Sequence, residues 1–166
     1  MKNCHLFLLL LLCGQISFTS LAQVKQAVII VEKPYVRASI PGSNVSSAYM
    51  RITNNDEKTV TLLGASSNIS PRVEIHQHTM VAGLMRMRKL DAVIIKANEQ
   101  IVLQPSGLHF MLFDVKKPLK PQQEVELTLR FSDKKTVTIK MPVYNFKQEK
   151  SAQAADEQLS TMQHHH

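Results

Sequence analysis

Hydrophobic and polar positions alternate in short runs from residue 27 to residue 141 of this 166-residue chain. Alternation with a period of two is typical of half-buried β-strands. Breaks rich in Pro, Gly, Asn, Asp and Ser separate the runs, as turns do. The pattern predicts an all-β sandwich or barrel. The predicted strands are 27–32, 35–40, 47–53, 59–65, 72–78, 84–90, 92–95, 100–104, 109–115, 124–131 and 136–141.

The first 22 residues have the composition of a signal peptide. Lys2 precedes the apolar run 6–12, which is too short to span a bilayer, and 20–22 (Ser-Leu-Ala) forms a small-x-small cleavage site. We therefore expect a signal peptide over 1–22 and a periplasmic or otherwise extracytoplasmic protein without a membrane span. A lipoprotein anchored through Cys13 is the alternative, but a leucine precedes this cysteine where such signals usually carry a small residue.

The mature chain divides into one domain, 23–145, and a polar tail, 146–166. The tail lacks a strong apolar face, so we expect it to be flexible or to form a short helix. It ends in Met162, His164, His165 and His166, which are candidate Cu(II) ligands if they are native, because clustered imidazoles favour Cu(II) among divalent ions. A residual purification tag is the other interpretation.

Both cysteines, Cys4 and Cys13, lie in the signal segment, so the mature chain has none. This excludes disulfides, a C-x-x-C redox motif and a blue-copper centre, which needs a thiolate. The mature chain has a net charge of 19 − 13 = +6 after Lys2 is removed. Because no aromatic residues interleave with the basic ones, nucleic acid is not an expected partner.

The candidate chemistry lies in three clusters of His and Met, at 76–80, 85–88 and 109–111. A single Met in a strand usually fills the core, as expected for Met50 and Met141. Imidazole and thioether groups that recur together are a different signal, because such ligands select copper, above all Cu(I). The sequence therefore predicts a copper site in this window.

Residues 72–90 are predicted to form a hairpin with a four-residue turn at 80–83, which places His78 opposite Met85 and His76 opposite Met87. All four side chains then share one face of the hairpin. The opposite face would combine Val73 and Ile75 with two arginines, which cannot all point into a core. Either a bulge or a strand that leaves the sheet would resolve this conflict.

The spacing His76-x10-Met87-x21-His109-x-Met111 resembles the signature of the periplasmic copper chaperones called PCuAC, and the similarity covers most of 28–143. The resemblance implies a single cupredoxin-like Greek-key β-sandwich and one Cu(I) held by these four residues. His78, Met80 and Met85 lie off the pattern as possible accessory ligands. The resemblance also implies a native tail, since many relatives carry a similar extension.

Similarity to PCuAC implies delivery of copper towards the binuclear site of a cytochrome c oxidase subunit, directly or through a Sco-type thiol protein. We expect a monomeric carrier rather than an enzyme, because the ligand set looks saturated and the nearest acids, Glu74 and Asp91, are isolated. Copper storage or resistance is one alternative. A metal-free interaction domain is another.

Overall fold

The computed structural model describes residues 28–163, which form ten β-strands followed by one helix. The elements are β1 Ile29–Arg37, β2 Ser46–Asn54, β3 Val60–Ser67, β4 Arg72–Val81, β5 Leu84–Leu90, β6 Val93–Ile95, β7 Gln100–Leu103, β8 Leu108–Phe113, β9 Glu124–Phe131, β10 Thr136–Tyr144 and α1 Phe146–Gln163. The predicted signal peptide lies outside the described residues.

Hydrogen bonding joins the strands in the order β5-β4-β8-β7-β2-β1-β10-β9-β3-β6, and β8 also pairs with β2. Only two parallel residue pairs link β1 to β10, Val36 with Val143 and Arg37 with Tyr144. The strands on either side of this junction enclose one core, in which Phe110 of β8 and Leu127 of β9 are both fully buried. The prediction of an all-β sandwich is confirmed.

The first strand differs from the prediction. Residues 27–32 and 35–40 were expected to form two strands, whereas β1 is one strand whose pairing with β2 shifts between Glu32 and Tyr35. Lys33 has a φ of 48° at the shift, and Pro34 has no N–H for the ladder. The sequence break at Lys33-Pro34 is therefore a bulge inside a strand and not a turn.

Strand β8 is central, as predicted, with β4 on one side and β2 and β7 on the other. Phe110 and Leu112 point into the core, where Met50 and Met141 are also buried as expected of core methionines. His109 and Met111 alternate with Phe110 and Leu112, so they face the other side of the sheet.

The tail segment forms an 18-residue helix, and a helix is one of the two forms expected from the sequence. Asn145 caps it, because its side chain accepts from the Gln148 N–H while the Gln148 side chain accepts from the Asn145 N–H, both at 2.9 Å. The Glu149 carboxylate is buried and accepts two hydrogen bonds from the Arg37 guanidinium, one of them at 2.8 Å. This charged contact anchors α1 despite its weak apolar face. Within 28–163 no helix is long and apolar enough to cross a bilayer.

Candidate metal centre

A tight turn sets the register of the hairpin that carries half of the candidate site. Ala82 and Gly83 have φ values of 50° and 77°, the conformation of a two-residue type I′ turn. The predicted four-residue turn at 80–83 is wrong, and so is the predicted register. His78 pairs with Met87, Met80 with Met85, and His76 with Lys89.

The predicted shared face survives this correction. The register moves by two residues, and only a slip of one residue turns side chains to the opposite face. His76, His78, Met85 and Met87 therefore still lie on one face, now joined by Met80. A left-handed alanine is uncommon, which is why the turn could not be read from the sequence.

The mixed opposite face of the hairpin is also explained. Ile75 is buried and pairs with Leu90 over the core, whereas Arg86 and Arg88 pair with Thr79 and Gln77 further out. The pairing of β4 with β8 ends at Gln77, followed by one hydrogen bond from the His78 N–H to the Gly107 carbonyl. The hairpin therefore extends beyond the sheet, which is the second of the two solutions that the sequence allowed.

Three imidazoles meet on the outer face of the sheet. His76 of β4 pairs directly with His109 of β8, with 6.1 Å between ring centroids. The His78 ring lies closer still, 5.1 Å from that of His109. His109 is 3% exposed, so the inner edge of the site is well shielded from water.

The structure fixes the protonated nitrogen of His109. Its Nδ1 lies 3.0 Å from the Gly107 carbonyl, which can only accept, so Nδ1 carries the proton and Nε2 holds the free lone pair. Burial lowers the pKa of His109 below its ordinary value; the Gly107 contact opposes this, and His78 and His76 lower the pKa further. A neutral ring is the form that a metal ion requires.

Glu74 fixes the tautomer of His76 in the same way. The Glu74 carboxylate lies 2.8 Å from His76 Nε2, so this nitrogen donates and the lone pair falls on Nδ1. Nδ1 is buried and, among the described residues, has no hydrogen-bond partner. The hydrogen bond from His76 lowers the pKa of Glu74, and burial opposes this. The hydrogen bond and charge of Lys89 and the charge of Arg72 lower the pKa further.

Glu74 is thus not the isolated acid expected from the sequence. A carboxylate that holds one nitrogen of a histidine and directs the other towards a metal is a common supporting contact in metalloproteins. The sequence already indicated that Glu74 lies beside the histidines, because Glu74, His76 and His78 alternate along one strand and therefore share a face. The His78 Nδ1 is likewise buried without a partner in the described part of the chain.

Thioethers border the imidazoles on both sides. Met111 pairs with Glu74, one step inward from His76 and His109. Met87 lies opposite His78, one step outward, and is 47% exposed. No group of three or more His, Cys, Asp or Glu within residues 28–163 is arranged to hold a metal ion.

Aromatic residues close the site on the side of β2 and β1. The Tyr49 ring centroid lies 6.3 Å from that of His109, and the Arg37 guanidinium sits over Tyr49 at 5.4 Å. Tyr35 stacks on Tyr144 beneath α1, with 5.0 Å between their centroids. The helix and the candidate site therefore lie on the same face of the sheet, joined through Arg37.

The structure does not describe the side chains of the four tail ligands proposed from the sequence. Met162 is in α1 but its side-chain environment is not described, and His164, His165 and His166 lie outside the described residues.

Imidazoles and thioethers on one outer face of a β-sandwich agree with the arrangement that the resemblance to PCuAC implies. The family model described as "Putative lipoprotein LpqE-like" matches residues 29–143. The chain belongs to this LpqE-like, PCuAC-related family, which confirms the resemblance seen in the sequence.

Known proteins similar to this chain agree with that assignment. "Putative lipoprotein Lxx21020" of Leifsonia xyli is 32% identical over 117 residues, which are 70% of this chain and 69% of that protein. The copper-bound PCuAC domain from PmoF2 has a TM-score of 0.61 and 26% identity, over 72% of this chain and 94% of that one. The solution structure of CuI-DR1885 from Deinococcus radiodurans has a TM-score of 0.58 and 28% identity, over 70% and 77%.

Proposed function

We propose that this protein is an extracytoplasmic copper carrier that binds one Cu(I) in its core site and passes it to an acceptor protein. The ligands of that site are His76, Met87, His109 and Met111. The observation that carries the proposal is the pair of facing imidazoles, each with one nitrogen held by a protein oxygen and the other left with a lone pair. The similar structures of the copper-bound PmoF2 domain and of CuI-DR1885 support copper as the cargo.

The chemistry of the ligands suits transport better than catalysis. Imidazole and thioether are neutral, and a thioether is a weak ligand that a thiolate of an acceptor can displace. The Glu74 carboxylate beside the site is engaged by His76 and by Lys89 at 3.2 Å, so it does not serve as a free general base. We therefore propose a carrier with no enzymatic activity.

The acceptor that we propose is the binuclear copper site of a cytochrome c oxidase subunit, reached directly or through a Sco-type thiol protein. An extracytoplasmic location is supported by the signal-like segment at 1–22 and by the lipoprotein names of the family and of one relative. Both features agree with cargo transfer outside the cytoplasm.

Anaerobic Cu(I) titration of the mature chain against a chromogenic chelator tests the core site. His164, His165 and His166 are replaced by Ala throughout, so that the tail does not contribute. The tightest equivalent should disappear in His109→Ala and persist in His78→Ala, and its X-ray absorption spectrum should show sulfur and nitrogen neighbours. Retention of this equivalent in His109→Ala, or neighbours of oxygen and nitrogen alone, would refute the proposal.

Transfer is tested separately from binding. Cu(I)-loaded protein is mixed with an apo thiol acceptor, the two are separated, and the metal in each is measured. We expect copper on the acceptor, whereas protein that keeps its copper under these conditions is a store and not a carrier.

The tail is proposed to add a separate Cu(II) site through Met162, His164, His165 and His166. Removal of 162–166 should abolish Cu(II) binding beyond the core site and leave the core Cu(I) equivalent in place. An unchanged Cu(II) titration after truncation would exclude this site.

A further inference from the structure

The outer end of the hairpin carries a pair of methionines that the core site does not use. Met80 and Met85 are directly paired, one on each strand, next to the Ala82-Gly83 turn. Their side chains are 66% and 58% exposed, far more than those of core methionines such as Met141. Two sulfur atoms are therefore presented to solvent on opposite strands.

The pairing brings these two thioethers within reach of one ion. Directly opposed residues of an antiparallel pair have Cβ atoms about 5 Å apart. Residues two apart on a strand share a face and are separated by about 7 Å, so the next pair inward, His78 with Met87, lies on the same face. His78 is the next residue inward on this face, and its Nδ1 has no hydrogen-bond partner in the described structure.

The donor set and the surrounding charge select for a soft monovalent ion. Thioether sulfur favours Cu(I) over oxygen-preferring cations. The segment from Ile75 to Leu90 contains Arg86, Arg88 and Lys89 but neither Asp nor Glu. A divalent cation would find no carboxylate ligand there and would be repelled more strongly than Cu(I).

We propose that Met80 and Met85, assisted by His78, form a second and weaker Cu(I) site through which cargo enters and leaves the core. Met87 lies between the two sites because it pairs with His78, so it can bind the ion from either side. In each step one bond from copper to sulfur or imidazole nitrogen forms as another breaks, and copper stays Cu(I) without gain or loss of electrons. The direction of transfer rests on the proposed function, whereas occupancy of the second site does not.

The exposed apolar end of the hairpin has a competing explanation. Exposed apolar patches commonly mark contact surfaces, and methionine is frequent in adaptable ones. Val81 and Leu84, 49% and 61% exposed, belong to the same patch. The two explanations separate experimentally, because leucine keeps the apolar area of methionine and removes only the sulfur.

The test is anaerobic Cu(I) titration of the mature chain with the tail histidines replaced by Ala. The protein with its hairpin intact should bind a second, weaker equivalent, which Met80→Leu/Met85→Leu should lose while keeping the first. The matched control, Val81→Ala/Leu84→Ala, removes apolar area and leaves the sulfur atoms, so it should keep both. Stopped-flow capture of Cu(I) from the chelator should also be slower in the methionine double variant.

Two results would overturn the second site. One is a single equivalent in the protein with its hairpin intact. The other is an unchanged second equivalent in the methionine double variant. Failure of the core proposal is distinguishable from both, because it appears as retention of the first equivalent in His109→Ala.

Discussion

Glu74 controls which nitrogen of His76 can bind copper, so Glu74→Gln should weaken the core site without removing any ligand. A carboxylate only accepts hydrogen bonds, and its 2.8 Å contact with His76 Nε2 therefore directs the lone pair to Nδ1. A glutamine side chain both donates and accepts, so the opposite tautomer becomes accessible. The substitution also removes a negative charge that favours the copper-bound imidazole.

The size of the effect follows from the environment of this contact. Loss of a group that orients a metal-ligating histidine typically costs about 10- to 100-fold in metal affinity. The Glu74 side chain is only 15% exposed, which favours a large loss of affinity. Two features reduce that loss: Gln keeps one acceptor oxygen, and the lost ion pair with Lys89 is weak because Lys89 is largely exposed and screened by solvent. We therefore expect Cu(I) affinity to fall by about tenfold, equivalent to about 1.4 kcal/mol.

Competition titration of Glu74→Gln against Glu126→Gln measures this loss. Glu126 is exposed on β9 and its substitution makes the same change in charge far from the site. Nitrogen NMR of the apo proteins should show His76 protonated at Nε2 in the parent and a mixture of tautomers in Glu74→Gln. Equal Cu(I) affinity in the two variants would show that Glu74 does not orient His76.

Three further predictions concern stability. Amide exchange in apo protein should be faster in the exposed hairpin than in β8, and Cu(I) should slow it; equal hairpin protection without copper would indicate a preformed site. The pKa of His109 lies below its ordinary value, so the unfolded chain binds that proton first, and unfolding free energy measured with denaturant should fall as pH drops below about 6.5. In His109→Gln this pH dependence of the unfolding free energy should be absent. A pH profile identical to that of the parent protein would contradict the prediction. Glu149→Gln leaves Arg37 without its charged partner and should cost on the order of 1 kcal/mol in thermal melts, a low value because Arg37 is partly exposed; unchanged melting would show that the pair does not anchor α1.

The sequence correctly predicted that the candidate ligands of the hairpin share one face, but not which residues pair across the two strands. Alternation assigns His76, His78 and Met87 to one face in any register that differs by two residues. Which residues stand opposite each other depends on the turn, and Ala82 adopts a conformation that alanine rarely takes. Local patterns therefore predicted the chemistry, and the turn decided the geometry.

Long-range contacts explain what the sequence could not show. Helix α1 has little apolar character, and its anchor, Glu149, is 112 positions from Arg37 in the chain. The division of β1 into two predicted strands has a more local cause, since Lys33 and Pro34 read equally well as a turn or as a bulge. The pairing of β1 with β2 is what distinguishes the bulge from a turn.

The hairpin that extends beyond the sheet also makes β5 an edge strand, with no other strand of residues 28–163 paired to its outer side. An open edge with exposed apolar residues such as Leu84 can template the addition of a strand from another molecule. Arg86, Arg88 and Lys89 lie on this edge, so two copies that approached strand to strand would bring like charges together. The same cations that disfavour a divalent ion near the methionines thus oppose self-association, which would bury those methionines between two protein chains.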